Sequence, residues 1–256
     1  AEGMQINLFA SEEQFPELKN PVQMAVDTQG RLWVAVWPSY PHWQPGDEMN
    51  DKLLILEDTD GDGRADVCKT FADGLHNPTG FEFYNGGVYL AQVPDLWFIE
   101  DTDGDEVADR HVRVLGGIDS ADTHHSINSF VLGPGGGLHF AEGLFHRTQV
   151  ETNHSAPVRA ADGAVFRFEP KRQHFDVYSP YNFPNPHGHV FTYWGMNIVH
   201  DGTGAKPIFG PSFSGHTNYP QRHPGAPQVY QQRTRPCSGT AILSSEHFPK
   251  ANRDTF

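Results

Sequence analysis

The stretch NPVQMAVDTQGRLWVAV, residues 20–36, decides the fold. Asn-Pro opens it, Val22, Met24 and Val26 recur at every second position, Gly30 offers a turn, and a second apolar stretch runs from Leu32 to Val36. Two stretches of alternating side chains joined at a glycine spell an antiparallel hairpin, because successive residues of a strand point to opposite faces. The same sentence returns as NPTGFEFYNGGVYLA (77–91), INSFVLGPGGGLHFA (127–141) and NPHGHVFTYWGMNIV (185–199). Counted from the residue after each turn, Leu32, Val88, Leu138 and Met196, the steps are 56, 50 and 58 residues. A hairpin-based repeat of about 50 residues is the size of one four-stranded propeller blade. Lys52–Glu57, Leu96–Glu100 and Ala164–Glu169 lie between the repeats and are expected to be outer strands.

The fold expected is therefore all-β, a β-propeller of four-stranded blades. Six blades would close the ring, and this chain would cover about four with the start of a fifth at SGTAILSS, 238–245. On that reading residues 1–256 form a single propeller domain whose C-terminal part is missing. No segment shows a sustained helical period with caps.

Composition narrows the function classes. Eighteen basic and 32 acidic side chains give a formal charge of −14, which argues against nucleic acid or an anionic membrane as partner. Twenty-six glycines and 20 prolines suit short strands and many turns. No apolar run approaches the roughly 18 residues of a membrane-spanning helix. Cys68 and Cys237 lack metal-ligand or haem-attachment spacing and are read either as a pair or as two free thiols. The glycines at 133 and 135–137 fail the dinucleotide pattern.

DTDGDGRAD (58–66) and DTDGDEVAD (101–109) are near copies. Asp58, Asp60, Asp62 and Asp66, and likewise Asp101, Asp103, Asp105 and Asp109, stand at positions 1, 3, 5 and 9 of a calcium loop, where a hard cation gathers alternate carboxylates around a glycine turn. Position 12 departs, being Lys69 and Val112, and Glu106 replaces the glycine of the first copy at Gly63. A solvated acidic turn would use the same residue types. Two four-aspartate copies repel themselves without a cation, which favours calcium as a structural pin.

Asp122, His124 and His125 precede the first strand of the third repeat, and loops leading into such strands line a propeller's central mouth. A histidine there can act as a general base near neutral pH. His187 and His189, on one face of an extended segment, with His200 from the next strand, offer imidazoles that suit a transition metal. Among the tryptophans, Trp37 and Trp43 are the candidates for a binding rim.

The run from His125 to Gly143 resembles the histidine loop and following hairpin of soluble quinoprotein sugar dehydrogenases. By that resemblance His125, eight residues ahead of the Gly133-Pro134 turn, is the base that takes the sugar hydroxyl proton. Asn185-Pro-His-Gly is similar to the family's stretch beside the quinone, with Pro184 standing where the family has arginine, and His200-Asp-Gly-Thr-Gly is similar to its calcium loop. The resemblance implies pyrroloquinoline quinone (PQQ) and calcium as cofactors, with Asn185, Gly202, Thr203 and His124 as cofactor-binding residues. Over its whole length the chain resembles the N-terminal propeller of the large planctomycete and verrucomicrobial proteins called membrane-bound dehydrogenases, in which a c-type haem domain lies elsewhere in a longer parent.

These resemblances imply an exported, periplasmic or extracellular protein that oxidises a sugar or polyol and passes electrons to a c-type cytochrome. Two alternatives stay open: a calcium-dependent lactonase or hydrolase on the same ring, and a non-catalytic propeller that binds carbohydrate or protein.

Overall fold

A computed structural model describes residues 5–153, 155–181, 183–202, 206–216, 226–231, 239–253 and 255, with the Lys206 side chain outside that description. Packing divides the chain into two compact units, 5–114 and 115–256.

The first unit holds two antiparallel sheets. β1 (Pro21–Val26), β2 (Leu32–Val36), β3 (Asp51–Glu57) and β4 (Val67–Leu75) pair in that order, as do β5 (Gly80–Tyr84), β6 (Gly87–Gln92), β7 (Asp95–Glu100) and β8 (Arg110–Gly116). Each is the four-stranded meander of a propeller blade. The two meet through their first strands, β1 against β5. The Gln23 side chain stitches them there, donating to the Phe81 carbonyl (2.8 Å) and accepting from the Phe81 N–H (2.7 Å).

Both faces of the first sheet are covered, which is why its middle strands read as continuous apolar runs rather than as a strict alternation. Trp33, Ala35, Leu53 and Ile55 pack with Phe81, Val88, Leu90 and Ile99. Val34, Val36, Leu54 and Leu56 pack the other way, against Leu18, Phe9 and Phe15 of the N-terminal segment. Sequence pattern had assigned that segment no role.

The second unit holds β9 (Asn128–Leu132), β10 (Leu138–Glu142), β13 (Ala164–Glu169) and β14 (His174–Ser179) in one sheet, and β15 (Pro186–Phe191), β16 (Asn197–Asp201) and β17 (Lys206–Phe209) in another. The stretch between β10 and β13 forms a hairpin of its own, β11 (Gln149–Thr152) with β12 (Ser155–Arg159). Here too the first strands meet, β9 against β15. The expected outer strands appear as β3, β7 and β13, each the third of its sheet, with β4, β8 and β14 outside them. Among the described residues 239–249 no strand forms, and the described helical content is a 3-10 turn at Lys250–Asn252. The class is all-β, of β-propeller type.

Between the two sheets of the second unit lies a polar seam. His139 Nδ1 donates to the Gly137 carbonyl (3.0 Å), and His189 Nε2 donates to Asn197 Oδ1 (2.5 Å). Asn197 Nδ2 in turn reaches the Tyr178 hydroxyl (2.9 Å) and the Pro211 carbonyl (3.1 Å). Both acceptors of the histidines are oxygens without protons, so the tautomers are fixed and each ring keeps one bare nitrogen. Burial pushes His139 down to about 3 and His189 down to about 4.

Candidate functional site

Gly143, one residue past β10, joins the two segments that carry the resemblance. Its N–H donates to the His125 carbonyl at 2.8 Å. A Cβ there would stand 2.9 Å from the Pro184 carbonyl, 3.2 Å from His125 Cβ and 3.2 Å from Pro186 Cδ. Only a glycine admits that approach without a shift. The β15–β16 register then brings in the rest: Asn185 N–H donates to Asp201 Oδ1 (3.0 Å), and Gly202 N–H to the Asn185 carbonyl (2.7 Å). His125, Asn185 and Gly202 therefore gather at one end of this unit, although 77 residues separate the first from the last. Thr203 lies outside the described residues.

The His125 side chain is 17% exposed, with Nδ1 3.1 Å from Asp122 Oδ2. The approach is out of line for a full hydrogen bond, so Nδ1 stands close to the carboxylate without a well-formed bond to it. Burial raises the Asp122 carboxyl, but the His124 N–H (2.7 Å) and the His125 ring outweigh it and hold Asp122 below the ordinary carboxylate range. The arrangement is an imidazole beside an ionised carboxylate, which suits a general base. His124 turns outward, 63% exposed, with Nδ1 3.7 Å from Asp122 Oδ1. The Phe145 ring lies edge-on to His125 at 5.2 Å. Its backbone has φ +75°, a left-handed conformation that costs a bulky residue about 1–2 kcal/mol.

Three residues that sequence reading passed over lie in the same place. Glu142 and His146 are fully buried, with His146 Nδ1 3.8 Å from Glu142 Oε1. The Thr148 hydroxyl donates to Glu142 Oε1 and accepts from the Asp119 N–H (2.9 Å). The signal was present in the alternation: Leu138, Phe140 and Glu142 share one face of β10, so the register put a carboxyl in the core.

His187, His189 and His200 do not assemble into a metal centre among the described residues. His189 belongs to the seam, whereas the buried His200 shares a hydrogen bond with Thr240 (Nδ1 to Oγ1, 2.9 Å). Trp37, expected at a rim, is buried and donates to the Pro78 carbonyl at 3.1 Å; Trp43 is half-buried against His76. The exposed pair is Tyr193 and Trp194, each 88% exposed at the β15–β16 turn with ring centroids 5.0 Å apart.

In each acidic loop three of the four aspartates converge. Asp58, Asp60 and Asp66 bring carboxylate oxygens within 4.8 Å of one another, as do Asp101, Asp103 and Asp109. Asp62 and Asp105 stand outside these triads and accept from the N–H groups of Arg64 and Val107 (both 2.8 Å). The converging oxygens fit a hard cation in donor type and spacing. Lys69, at position 12 of the first loop, is instead ion-paired with Glu106 of the second, which also pairs with Arg31. The left-handed sixth position explains the glycine of the first copy (Gly63, φ +86°); Glu106 occupies it at φ +66°.

PQQ carries three carboxylates and needs cations around them. The ionisable neighbours recorded for His125 and Asn185 are Asp122, His146, His187 and Asp201, and the guanidinium groups of Arg147 and Arg167 are committed to Asp162 (2.6 Å) and Asp176 (2.7 Å). Asn185 and Gly202 also spend main-chain groups on each other. The described residues thus fit the base half of a quinoprotein site and do not by themselves supply the anchor for the quinone.

Comparison with known proteins locates the fold. An iodide structure and a calcium structure of a Trichoderma reesei carbohydrate-active enzyme of family AA12 match with TM-scores of 0.59 and 0.58 at 13% identity, covering 84% and 85% of this chain and 56% and 57% of theirs. The holo form of the pyranose dehydrogenase PQQ domain from Coprinopsis cinerea matches with a TM-score of 0.50 at 13% identity, over 72% of this chain and 44% of that one. The chain spans about half the length of these structures, and at such identity the likeness is one of fold. No curated protein matches the chain. The family model described as "Domain of unknown function (DUF7133)" covers residues 1–250, and the chain belongs to that family.

Proposed function

We propose that this chain is the propeller of a quinoprotein-like dehydrogenase that oxidises a hydroxyl of a sugar or polyol, with His125 as general base. The observation that carries the reading is the Asp122–His125 pair, held by Gly143 beside the Asn185–Gly202 hairpin ends. Asp122, close to Nδ1, stabilises the charge that the ring acquires on taking the hydroxyl proton. Phe145 covers the ring edge and limits water there. Of the residues the resemblance gives to its cofactors, Asn185 and Gly202 bond each other, His124 is exposed, and Thr203 lies outside the described residues. PQQ with calcium, the cofactors the resemblance implies, would supply the two-electron hydride acceptor. A c-type cytochrome would reoxidise it, and an exported location would keep calcium available to the aspartate triads. The described residues contain no helix long and apolar enough to cross a membrane.

The test is reconstitution: the protein with PQQ and calcium, an artificial electron acceptor, and a panel of aldoses and polyols. Dye reduction that falls by about 10²–10⁴-fold in His125→Ala is the expected result. Activity undiminished in that variant would remove His125 from the chemistry.

The exposed Tyr193–Trp194 pair favours a second reading, a propeller that binds carbohydrate without turning it over, since aromatic faces stack on the apolar faces of sugar rings. Sugar binding that is lost in Trp194→Ala, with no dye reduction by the parent protein, would support it over the first.

A further inference from the structure

The segment Glu142–His146 wraps around His125. Gly143 donates to its carbonyl and leaves no room for a Cβ beside it, Phe145 lies edge-on to its ring, and past the left-handed backbone of Phe145 the next side chain, His146, is buried. Three buried polar atoms lack a well-formed hydrogen bond there, Glu142 Oε2, His146 Nδ1 and His146 Nε2, with the Asp119 backbone as the near polar neighbour of the His146 ring. Buried groups left in this way mark a hydrated or proton-active site rather than a packing element.

The charges facing this spot come from several elements. Asp119 and Asp122 of the loop before β9 stand near His146, as does His125. The Asp119 carboxylate is occupied by the N–H groups of Ala121 and Arg147, and Thr148 is the hydrogen-bond donor to Glu142. On β13 the residue paired with Glu142 is Ala164, and on β9 the residue paired with Ala141 is Asn128. No described cation is paired with Glu142. His146 Nδ1 is too distant to bond it, and its own ring is held neutral by burial. An ionised carboxylate in such a position would have the Thr148 hydrogen bond but no paired cation to offset its burial.

From this geometry we infer that Glu142 and His146 are a proton-holding pair in the wall behind His125, with Glu142 a neutral carboxylic acid in the resting protein. Ionisation of Glu142 then places a negative charge beside the proposed base, so the pair acts on catalysis through His125 as positioning residues. Burial, with Asp119 nearby, pushes the Glu142 carboxyl up to about 8 against the Thr148 hydrogen bond, and this agrees with the unmatched geometry. The inference rests on the reading of His125 as base only for its catalytic meaning; the protonation state is independent of it.

The experiment needs neither quinone nor sugar. Infrared difference spectra of the whole chain, parent minus Glu142→Gln, are recorded from pH 6 to pH 10, with imidazole ¹⁵N shifts of His125 and His146 followed in parallel. A protonated carboxylic-acid carbonyl band at pH 7, absent from the variant and lost as pH rises past about 8, is expected. An alkaline step in the two imidazole signals that Glu142→Gln lacks is expected with it. Absence of the acid band at pH 7 overturns the proposal, as does an alkaline step that persists in the variant. Should Glu142→Gln not fold, ¹³C-glutamate labelling identifies the band in the parent protein, with the same two outcomes. Failure of the dye-reduction assay with the band present would instead reject the dehydrogenase reading and leave the pair standing.

Discussion

Acid should open the second unit at its histidine seam. His139 and His189 are neutral in the folded protein, pushed down to about 3 and about 4, whereas both return to 6.5 in the unfolded chain. Between those values the unfolded chain binds more protons, so stability rises with pH across the window and is lost on acidification. Each histidine then costs about 1.4 kcal/mol per pH unit below 6.5, or about 2 kcal/mol at pH 5. Glu142 works in the opposite sense: its raised carboxyl gives stability that is present below 4.5 and declines as pH rises to about 8. The parent profile is therefore a blend, and the difference from a variant isolates one group. His189→Gln keeps a nitrogen donor for Asn197 Oδ1 and removes the titration. Urea unfolding of both proteins followed by circular dichroism from pH 7.5 to pH 5 should show the gap moving in the variant's favour by about 2 kcal/mol. A gap that stays constant with pH would refute the argument that His189 is buried as the neutral, tautomer-fixed imidazole.

Three further outcomes follow from particular contacts. Gly143→Ala should destabilise the second unit by about 1–3 kcal/mol, because its Cβ meets the Pro184 carbonyl at 2.9 Å, and it should reduce any His125-dependent activity; urea titration and dye reduction check the two effects. Calcium at 100 times its dissociation constant should stabilise the first unit by about 2.7 kcal/mol per site, read as a thermal shift that Asp58→Asn and Asp101→Asn each diminish. Glu106→Ala should cost about 1–3 kcal/mol in chemical denaturation, since it leaves the buried Arg31 with Asp27 alone and releases Lys69.

The blades were legible because strand alternation and glycine turns are local: Leu32–Val36, Gly87–Gln92, Leu138–Glu142 and Asn197–Asp201 fall on the strands expected from the four repeated hairpins. The aspartate triads were legible for the same reason, their spacing being a property of one short loop. His125 with Asp122 was within reach, because the partner is three residues away. Glu106 was not, since its partners Arg31 and Lys69 are 75 and 37 residues distant. Trp37, expected at a rim, is buried, and Trp194 is exposed, because burial depends on what packs over a loop, and composition does not carry that.

What the sequence by itself determined is thus the strand period, the turns and the short acidic and histidine loops, each fixed by neighbours within a few residues. Only tertiary structure decided that Gly143 lies where a Cβ would meet both His125 and the Pro184 carbonyl, that Glu142 and His146 are buried with polar atoms left over, and that His139 and His189 face a common seam. These depend on which strand faces pack together and on how much water the packing removes, and desolvation is a property of the assembled sheets rather than of any residue's place in the chain.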